Sequence, residues 1–530
     1  MAEHAYPQPI DGLLRPAAYP HPVDRIHVIE THISWVVLTG EYAYKVKKPV
    51  DLGFVDFSTP ARRRRACEDE LRLNRRLAAS IYLDVVPLCG SPARPRVGEP
   101  GEEGFEHAVR MRQFPEDARL DRELEEGRLS ASDMDEIAAV LSAFHDSLPP
   151  AAPDSARGEP GAVYATMRDN FEAVDASVAG EREAGLLRQV EEWTASRYEA
   201  VRPRLAARRR EGFIRECHGD LHLGNLARVD GRILPFDCIE FSESLRWIDV
   251  ISEVAFLWMD LRARGRDDLA SRFLNSYLAA GGDYEGLPLL RFYAVYRAMV
   301  RVKVAAIRLS QGATDDAGSE AARQDLRAHL ALAGRLCAEG RGAILITTGL
   351  SGSGKSHLAG MLAMRLPAVR VRSDVERKRL YGLPPGARSG SGVATGIYTP
   401  EAGRRTYARL REIAGVVAGA GMIALVDAAF LERSQRAAMR TLADELDVPF
   451  LALECRARPA ALRERVRRRA RQGADPSEAD IAVLERQLAG WRPLADSETS
   501  TTIRVDTEGD IDVDRVSDRV RRVIDGARAR

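Results

Sequence analysis

Between residues 23 and 60 apolar and polar positions alternate, most plainly in the segment HVIETHISWVVLTGEYAYKV, and a period of two predicts strands with a turn at Thr39-Gly40-Glu41. The pattern changes at residues 61–79, which read as a basic helix carrying Glu68 and Glu70. A strand is expected at 83–88, an exposed loop over the Pro/Gly-rich residues 90–104, and a strand from His107 to Phe114 ending in a turn at Pro115. Residues 130–147 predict a helix with a Ser/Asp N-cap, and 149–160 a loop. Helices then run to 211, strands return at 213–217 and 232–237, and 244–335 are mainly helical, interrupted by the polar stretch QGATDDAGSE at 311–320.

From residue 342 the texture becomes regular. The apolar runs AILITTG, AVRVRSD, MIALVDA and FLALECRA are separated by helical patterns, and a last strand, TTIRVDT, precedes a C-terminal helix. Such alternation predicts a parallel sheet with helices on both faces. A domain boundary is placed at 338–341.

Composition narrows the classes. A chain of 530 residues suits two or three domains, and 45% hydrophobic with 29% charged residues is the composition of a soluble globular protein. Lys+Arg and Asp+Glu are 78 each, so no net field draws nucleic acid or an anionic membrane. The N-terminus lacks a signal-peptide pattern and no apolar run is long enough to span a bilayer, so the expected location is the cytoplasm. Six scattered cysteines without a CxxC pair suggest neither disulfides nor zinc, and Cys217 and Cys238 read as small buried side chains. Only six basic residues are lysine (Lys45, Lys47, Lys48, Lys303, Lys355 and Lys378), so each lysine hints at a place that wants a compact ammonium.

Two phosphate-handling motifs stand out. Residues 349–356, Gly-Leu-Ser-Gly-Ser-Gly-Lys-Ser, directly follow an apolar strand and open a helix, the setting of a Walker A loop. Its glycines let the backbone curl so that amides from Gly349, Leu350, Ser351, Gly352, Ser353 and Gly354 onward cradle phosphates. Lys355 is expected at the β/γ-phosphates and Ser356 on Mg²⁺. Asp374 ends the second strand, and the surroundings of the loop resemble small-molecule kinases of the gluconate and nucleotide kinase group, which implies that Asp374 orients or deprotonates an acceptor hydroxyl, with Arg377 steadying an anionic group. Asp427 ends the third strand, placed for Mg²⁺ through water. A helix cap or a solvated carboxylate is the plain alternative for both aspartates.

The other motif, His-Gly-Asp-Leu-His-Leu-Gly-Asn at 218–225, is followed by Leu-Pro-Phe-Asp ending at Asp237. Asp220 fits a residue that accepts or orients the acceptor's hydroxyl proton, while Asn225 and Asp237 fit Mg²⁺ ligands joined by a short hairpin.

This second motif resembles the catalytic loop of the aminoglycoside phosphotransferase family, which shares the protein kinase fold. The resemblance covers most of residues 25–310. It implies that Lys45 contacts the ATP α/β-phosphates and that Glu70 pairs with it, with Lys47 and Glu68 as the rival register. It also implies a structural histidine at His145, at the end of a helix. Two features depart from the family. No glycine-rich loop precedes Lys45, which leaves the amides of Thr31 to Ser34 to cover the phosphates. The acidic residues Glu240, Glu243 and Asp249 are too few for a polycationic acceptor, so resistance to aminoglycosides does not follow. A hinge near Gln113-Phe114 is compatible with adenine and leaves ATP versus GTP preference open.

The C-terminal part is similar to small-molecule kinases of the gluconate and nucleotide kinase group. That resemblance implies an arginine-bearing lid over residues 463–478, with Arg465 and Arg469 on one helical face against the transferring phosphoryl group. A solvated basic face is the alternative.

The expected architecture is therefore an α+β kinase-like domain followed by an α/β P-loop NTPase domain with a parallel sheet. Residues 1–338 form the first (small lobe about 20–115, large lobe about 116–338) and 341–530 the second. The leading expectation is two ATP- and Mg²⁺-dependent phosphotransferases acting on hydroxyls of small molecules. The rivals are an ATP-dependent switch in which one domain gates the other, and a nucleotide or polynucleotide kinase. The sequence names neither acceptor nor oligomeric state.

Overall fold

The alternating segment folds into the first half of a six-stranded antiparallel sheet. Its strands are β1 His27–Glu30, β2 Ser34–Leu38, β3 Tyr42–Lys47, β4 Tyr82–Ser91, β5 Arg94–Val97 and β6 Glu106–Arg112, in the order β1-β2-β3-β6-β4-β5. Strand β5 lies inside the stretch expected to be an exposed loop. Its two arginines face out while Pro95 and Val97 are buried, a period too short to stand out among prolines and glycines. Two small antiparallel pairs follow, β7 Ile214–Glu216 with β10 Trp247–Asp249 and the hairpin β8 Leu226–Val229 with β9 Arg232–Pro235.

These strands are seen in a computed structural model that describes residues 6–51, 53, 55–174, 181–310, 316–391, 395–472 and 478–528. The chain forms two compact units. One comprises Met1–Asp133, Phe144–Glu159 and Ala206–Leu257, and the other Met134–Ala143, Pro160–Leu205 and Trp258–Arg530.

In the first unit the pleat sends Tyr44 and Val46 of β3 into one apolar cluster, with Trp35, Val37, Val86 and Leu88. Ala43 joins a cluster on the opposite face, with Cys67, Tyr82 and Val109. Lys45 and Lys47 share that second face by the same alternation. The helix Pro60–Ala78 covers it, started by Pro60 in its first turn and by Thr59, whose side chain accepts the Arg62 N–H at 3.3 Å. Glu70 is thereby fully buried under the two lysines.

The second unit holds the five-stranded parallel sheet: β11 Ala343–Thr348, β12 Ala368–Arg372, β13 Ile423–Asp427, β14 Phe450–Arg456 and β15 Thr502–Asp506, ordered β12-β13-β11-β14-β15. Strand β11 is buried along its whole length, as a central parallel strand covered on both faces must be. Its core joins Leu345, Leu425 and Leu453 to Leu358 and Leu362 of the helix Lys355–Arg365. The edge strand β12 is not left open. Asn275, on the helix Asp267–Gly281, donates from Nδ2 to the Ala368 carbonyl at 2.9 Å and accepts the Arg370 N–H at 2.6 Å, as a neighbouring strand would. Arg379 donates to the Ala279 carbonyl at 2.6 Å, and the Ser271 hydroxyl donates to the Ala363 carbonyl. Among the described residues no helix is long and apolar enough to cross a membrane.

Candidate active sites

The first site is assembled from β3, the helix Pro60–Ala78 and the loops around β8 and β9. Lys45 Nζ lies 2.7 Å from Glu70 Oε1 and also donates to Asp237. Lys47 Nζ lies 2.5 Å from Glu70 Oε2 and donates to Glu240. One buried carboxylate thus serves both lysines, and its other partners separate them: Lys45 reaches the half-exposed Asp237, Lys47 the buried Glu240. Glu68 points outward and pairs with Arg64. Burial opposes the Lys45 ammonium, but Asp237 and Glu70 outweigh it and hold it well above the usual lysine value. Burial also opposes the charged form of Asp237, and Lys45 overrides it, so the carboxyl stays below the usual range. Glu240 is pushed up by burial.

Asp220 and Asn225 sit together on the loop before β8. Asn225 Nδ2 donates to the Asp220 carbonyl and to Asp220 Oδ2, both at 3.0 Å. His222 accepts the Gly224 N–H at 3.1 Å, and its Nε2 lies 3.5 Å from Asp220 Oδ2. Asp237 has a left-handed φ of 62°, and its N–H donates to the Tyr82 hydroxyl at 3.1 Å. The strained turn is held by Asn74, whose side-chain oxygen accepts the Cys238 N–H at 2.9 Å.

A second layer supports this loop. His145 Nε2 lies 2.8 Å from Glu253 Oε2, while Glu253 Oε1 accepts the Gly219 N–H at 2.8 Å. Burial pushes the Glu253 carboxyl up, but the His145 hydrogen bond and charge overcome that and bring it to about 2. His218 Nε2 donates to the Phe236 carbonyl, 2.8 Å away, tying the loop to the residue before Asp237. Sequence reasoning found His145 but missed Glu253, which lies in an apolar helical run with no motif to mark it.

The other acidic candidates, and two of the amide candidates, have partners within the structure. Glu240 is engaged by Lys47, Asp249 by Arg208 at 2.6 and 2.7 Å, and Glu243 by Arg157. Two of the four amides at Thr31 to Ser34 are consumed by the turn itself: the Thr31 N–H donates to the Ser34 carbonyl and the Ser34 N–H to the Thr31 hydroxyl, each at 2.9 Å. Gln113 Oε1 accepts the Gly40 N–H at 2.9 Å, bracing the β2–β3 turn.

The second site is the loop after β11. Gly349, Gly352 and Gly354 have φ of 143°, 79° and 81°, and a Cβ on Gly352 would lie 2.8 Å from the Leu462 carbonyl, so both conformation and space require glycine there. Lys355 Nζ donates to the Leu350 carbonyl at 2.7 Å and lies 3.4 Å from Ser353 Oγ. Burial pushes this ammonium below the usual lysine value.

The Ser356 hydroxyl donates to Asp427 Oδ1 at 3.1 Å, so two expected metal ligands are adjacent. The other Asp427 oxygen is held by Arg370, from Nη2 at 2.6 Å and Nε at 3.2 Å, and Arg370 also donates to the Ser356 carbonyl at 2.8 Å. Burial raises Asp427, but Arg370 prevails and keeps it below the usual range. Arg370 was not foreseen, because nothing in AVRVRSD distinguishes it from Arg372.

Asp374 opens the helix Ser373–Leu380, one turn ahead of Arg377, which donates to the Ile397 carbonyl at 3.1 Å and stacks 4.9 Å over the Tyr398 ring. The two lid arginines part company. Arg465 Nη1 lies 3.3 Å from the Gly352 carbonyl and 3.2 Å from Thr507 Oγ1, against the phosphate loop, whereas Arg469 donates to the Ala479 carbonyl at 2.6 Å. The helix Pro459–Gln472 carries both arginines, and residues 473–477 of the expected lid lie outside the described residues. Thr507 links the loop to the strand β15 end, its hydroxyl donating to the Ser353 carbonyl at 2.9 Å.

Two family models match separate stretches of the chain. Residues 40–293 match the phosphotransferase enzyme family and residues 344–494 match an AAA domain family. An uncharacterised protein of Mycobacterium tuberculosis (strain ATCC 25618 / H37Rv) is 32% identical over 496 residues, covering 92% of this chain and 94% of its own. An uncharacterised protein of Mycobacterium bovis (strain ATCC BAA-935 / AF2122/97) matches to the same extent. Among solved structures, a choline/ethanolamine kinase family protein from Mesorhizobium loti aligns with 60% of this chain and 94% of its own, at 12% identity and a TM-score of 0.36. A gluconokinase from Sinorhizobium meliloti aligns with 36% of this chain and 94% of its own, at 20% identity and a TM-score of 0.25.

Proposed function

Since the chain belongs to the family of its mycobacterial relatives, with a phosphotransferase kinase-like region followed by a P-loop kinase fold, we propose that it is a bifunctional ATP-dependent phosphotransferase. Each domain, residues 1–338 and 341–530, transfers the γ-phosphoryl group of ATP to a hydroxyl of a small molecule in the cytoplasm. One observation supports this reading above the rest. Each half closes its own set of charges: Lys45, Glu70 and Asp237 beside Asp220 and Asn225 in one, and Lys355 with Ser356 and Asp427 in the other.

In the first site Lys45, oriented by Glu70, holds the donor phosphates. Asp220 accepts the proton of the attacking hydroxyl, and the Asn225 amide keeps its carboxylate aimed. In the second site the loop amides and Lys355 hold the phosphates, Arg465 neutralises charge on the moving group, and Asp374 orients the acceptor. The donor sets, a carboxylate with an amide oxygen in one and a hydroxyl with a carboxylate in the other, suit a hard divalent cation. Bound Mg²⁺ would lower the negative charge of the phosphates there; Asn225 with Asp237, and Ser356 with Asp427, would hold it. Asp427 would have to release Arg370 in part to do so.

The test is incubation of the full chain with γ-labelled ATP, Mg²⁺ and a fractionated bacterial metabolite extract, beside Asp220→Ala and Lys355→Ala. Each substitution should remove a different labelled product. Removal of the same product by both would mean sequential steps on one metabolite, and no labelled product from the unaltered chain would overturn the proposal in favour of a nucleotide-dependent switch.

A further inference from the structure

A single peptide plane in the phosphate loop is gripped from both sides. The Leu350 carbonyl accepts from Lys355 Nζ at 2.7 Å and from the Ser353 N–H at 3.1 Å, and the N–H of the same peptide, on Ser351, donates to Gln487 Oε1 at 2.8 Å. A trans peptide is planar and its C=O and N–H point in opposite directions, so a partner on the N–H works together with the Ser353 N–H to fix where the carbonyl points. Gln487 belongs to the helix Ile481–Gly490, which Asp480 starts by accepting the Val483 N–H at 2.9 Å. The apolar side of that helix also reaches the loop: Leu484 is buried with Leu462 and Val466, and Leu350 and Leu488 pack against them. The helix is therefore fastened to residue 350 by apolar contact and to residue 351 by a hydrogen bond.

We propose that Gln487 is a positioning residue of the second site, locking the 350–351 peptide so that its carbonyl holds the Lys355 ammonium beside the phosphate cradle. The inference rests on reading that loop as nucleotide-binding. The charges of Asp427 on β13, Asp374 on the helix Ser373–Leu380, Cys455 on β14 and Arg469 on the helix Pro459–Gln472 also act on the Lys355 ammonium. Without Gln487 the N–H side of the peptide is unheld, only the Ser353 N–H keeps the Leu350 carbonyl in place, and the buried ammonium leaves that carbonyl more readily for either carboxylate. A glutamine suits the role because its carbonyl accepts an amide proton without placing a negative charge beside an incoming triphosphate.

The experiment uses the full chain as Gln487→Leu and Gln487→Glu, with Lys355→Ala as reference. Reductive dimethylation read by peptide mass reports Lys355 directly, since the chain has only six lysines and buried Lys378 serves as internal control. Mg-ADP titration supplies the second readout, the component lost in Lys355→Ala being that of this site. Gln487→Leu should raise Lys355 labelling relative to Lys378 by about threefold or more and weaken the ADP component about tenfold, the worth of one well-made hydrogen bond. Gln487→Glu, which keeps an acceptor of the same shape, should restore the protection of Lys355. Labelling unchanged in Gln487→Leu would overturn the proposal, and so would a glutamate variant as labile as the leucine one. If Lys355→Ala leaves ADP binding intact, the nucleotide reading fails, while the labelling arm still judges the latch.

Discussion

Lys47→Met separates the structural lysine of β3 from the one that faces the site. Lys47 and Glu70 side chains are fully buried and Glu240 is 3% exposed, so removing the ammonium strands the Glu240 carboxylate in the interior and leaves Glu70 with Lys45 alone. Methionine keeps the length of the unbranched stem, which limits the packing loss. The cost is that of an uncompensated buried charge, about 3–5 kcal/mol. For a unit of this size that corresponds to a fall of about 6–20 °C in the melting temperature of the transition that contains β3. Scanning calorimetry of the full chain measures it, with hydrogen exchange at β3 amides assigning the transition. Lys47→Met/Glu240→Leu should regain at least half of the loss, because the stranded charge is gone. Lys45→Met should melt closer to the unaltered chain, since Asp237 is 44% exposed and water takes over its carboxylate, yet nucleotide binding at the first site should be lost. A Lys47→Met protein that melts within about 2 °C of the unaltered chain would refute the reasoning, as would a double variant no more stable than the single one.

Two further outcomes are expected. Glu253 has a folded pKa of about 2 against an ordinary value of 4.5, so its stabilisation is complete above pH 4.5 and is lost as the pH falls from there toward 2. Glu253→Gln should remove about 3 kcal/mol of that pH dependence, visible as a flatter acid limb in denaturant titrations between those pH values. Asn275→Ala deletes both side-chain bonds to the edge strand β12, and the Arg370 amide should exchange with solvent about tenfold faster or more. Unchanged exchange would show that β12 is held without the asparagine.

Local geometry that depends on neighbours in sequence was legible in the sequence alone. The Gly349–Ser356 loop, the Asp220–Asn225 spacing and the strand–helix alternation after residue 342 are local, because a phosphate cradle and a parallel βα unit are each built from contiguous backbone. The pairing of Lys45 with Glu70 came through resemblance, and Lys47 with Glu68 stayed open until the helix Pro60–Ala78 was seen to turn residue 70 inward and residue 68 toward Arg64. The strand β5 was missed because four residues of alternation cannot compete with the turn signal of the prolines and glycines in the stretch around them.

What only tertiary structure decided is the set of groups that aim the motif residues. Glu253 reaches the Gly219 amide from 34 positions away, Arg370 reaches Asp427 across 57, Asn275 reaches Arg370 across 95, and Gln487 reaches Ser351 across 136. Each is an ordinary polar residue in an ordinary helix or strand, and its role arises from the backbone group or charge that packing brings within 3.5 Å. A sequence records which atoms a loop can present to a phosphate; which distant side chain holds that loop still depends on how helices and strands close on one another.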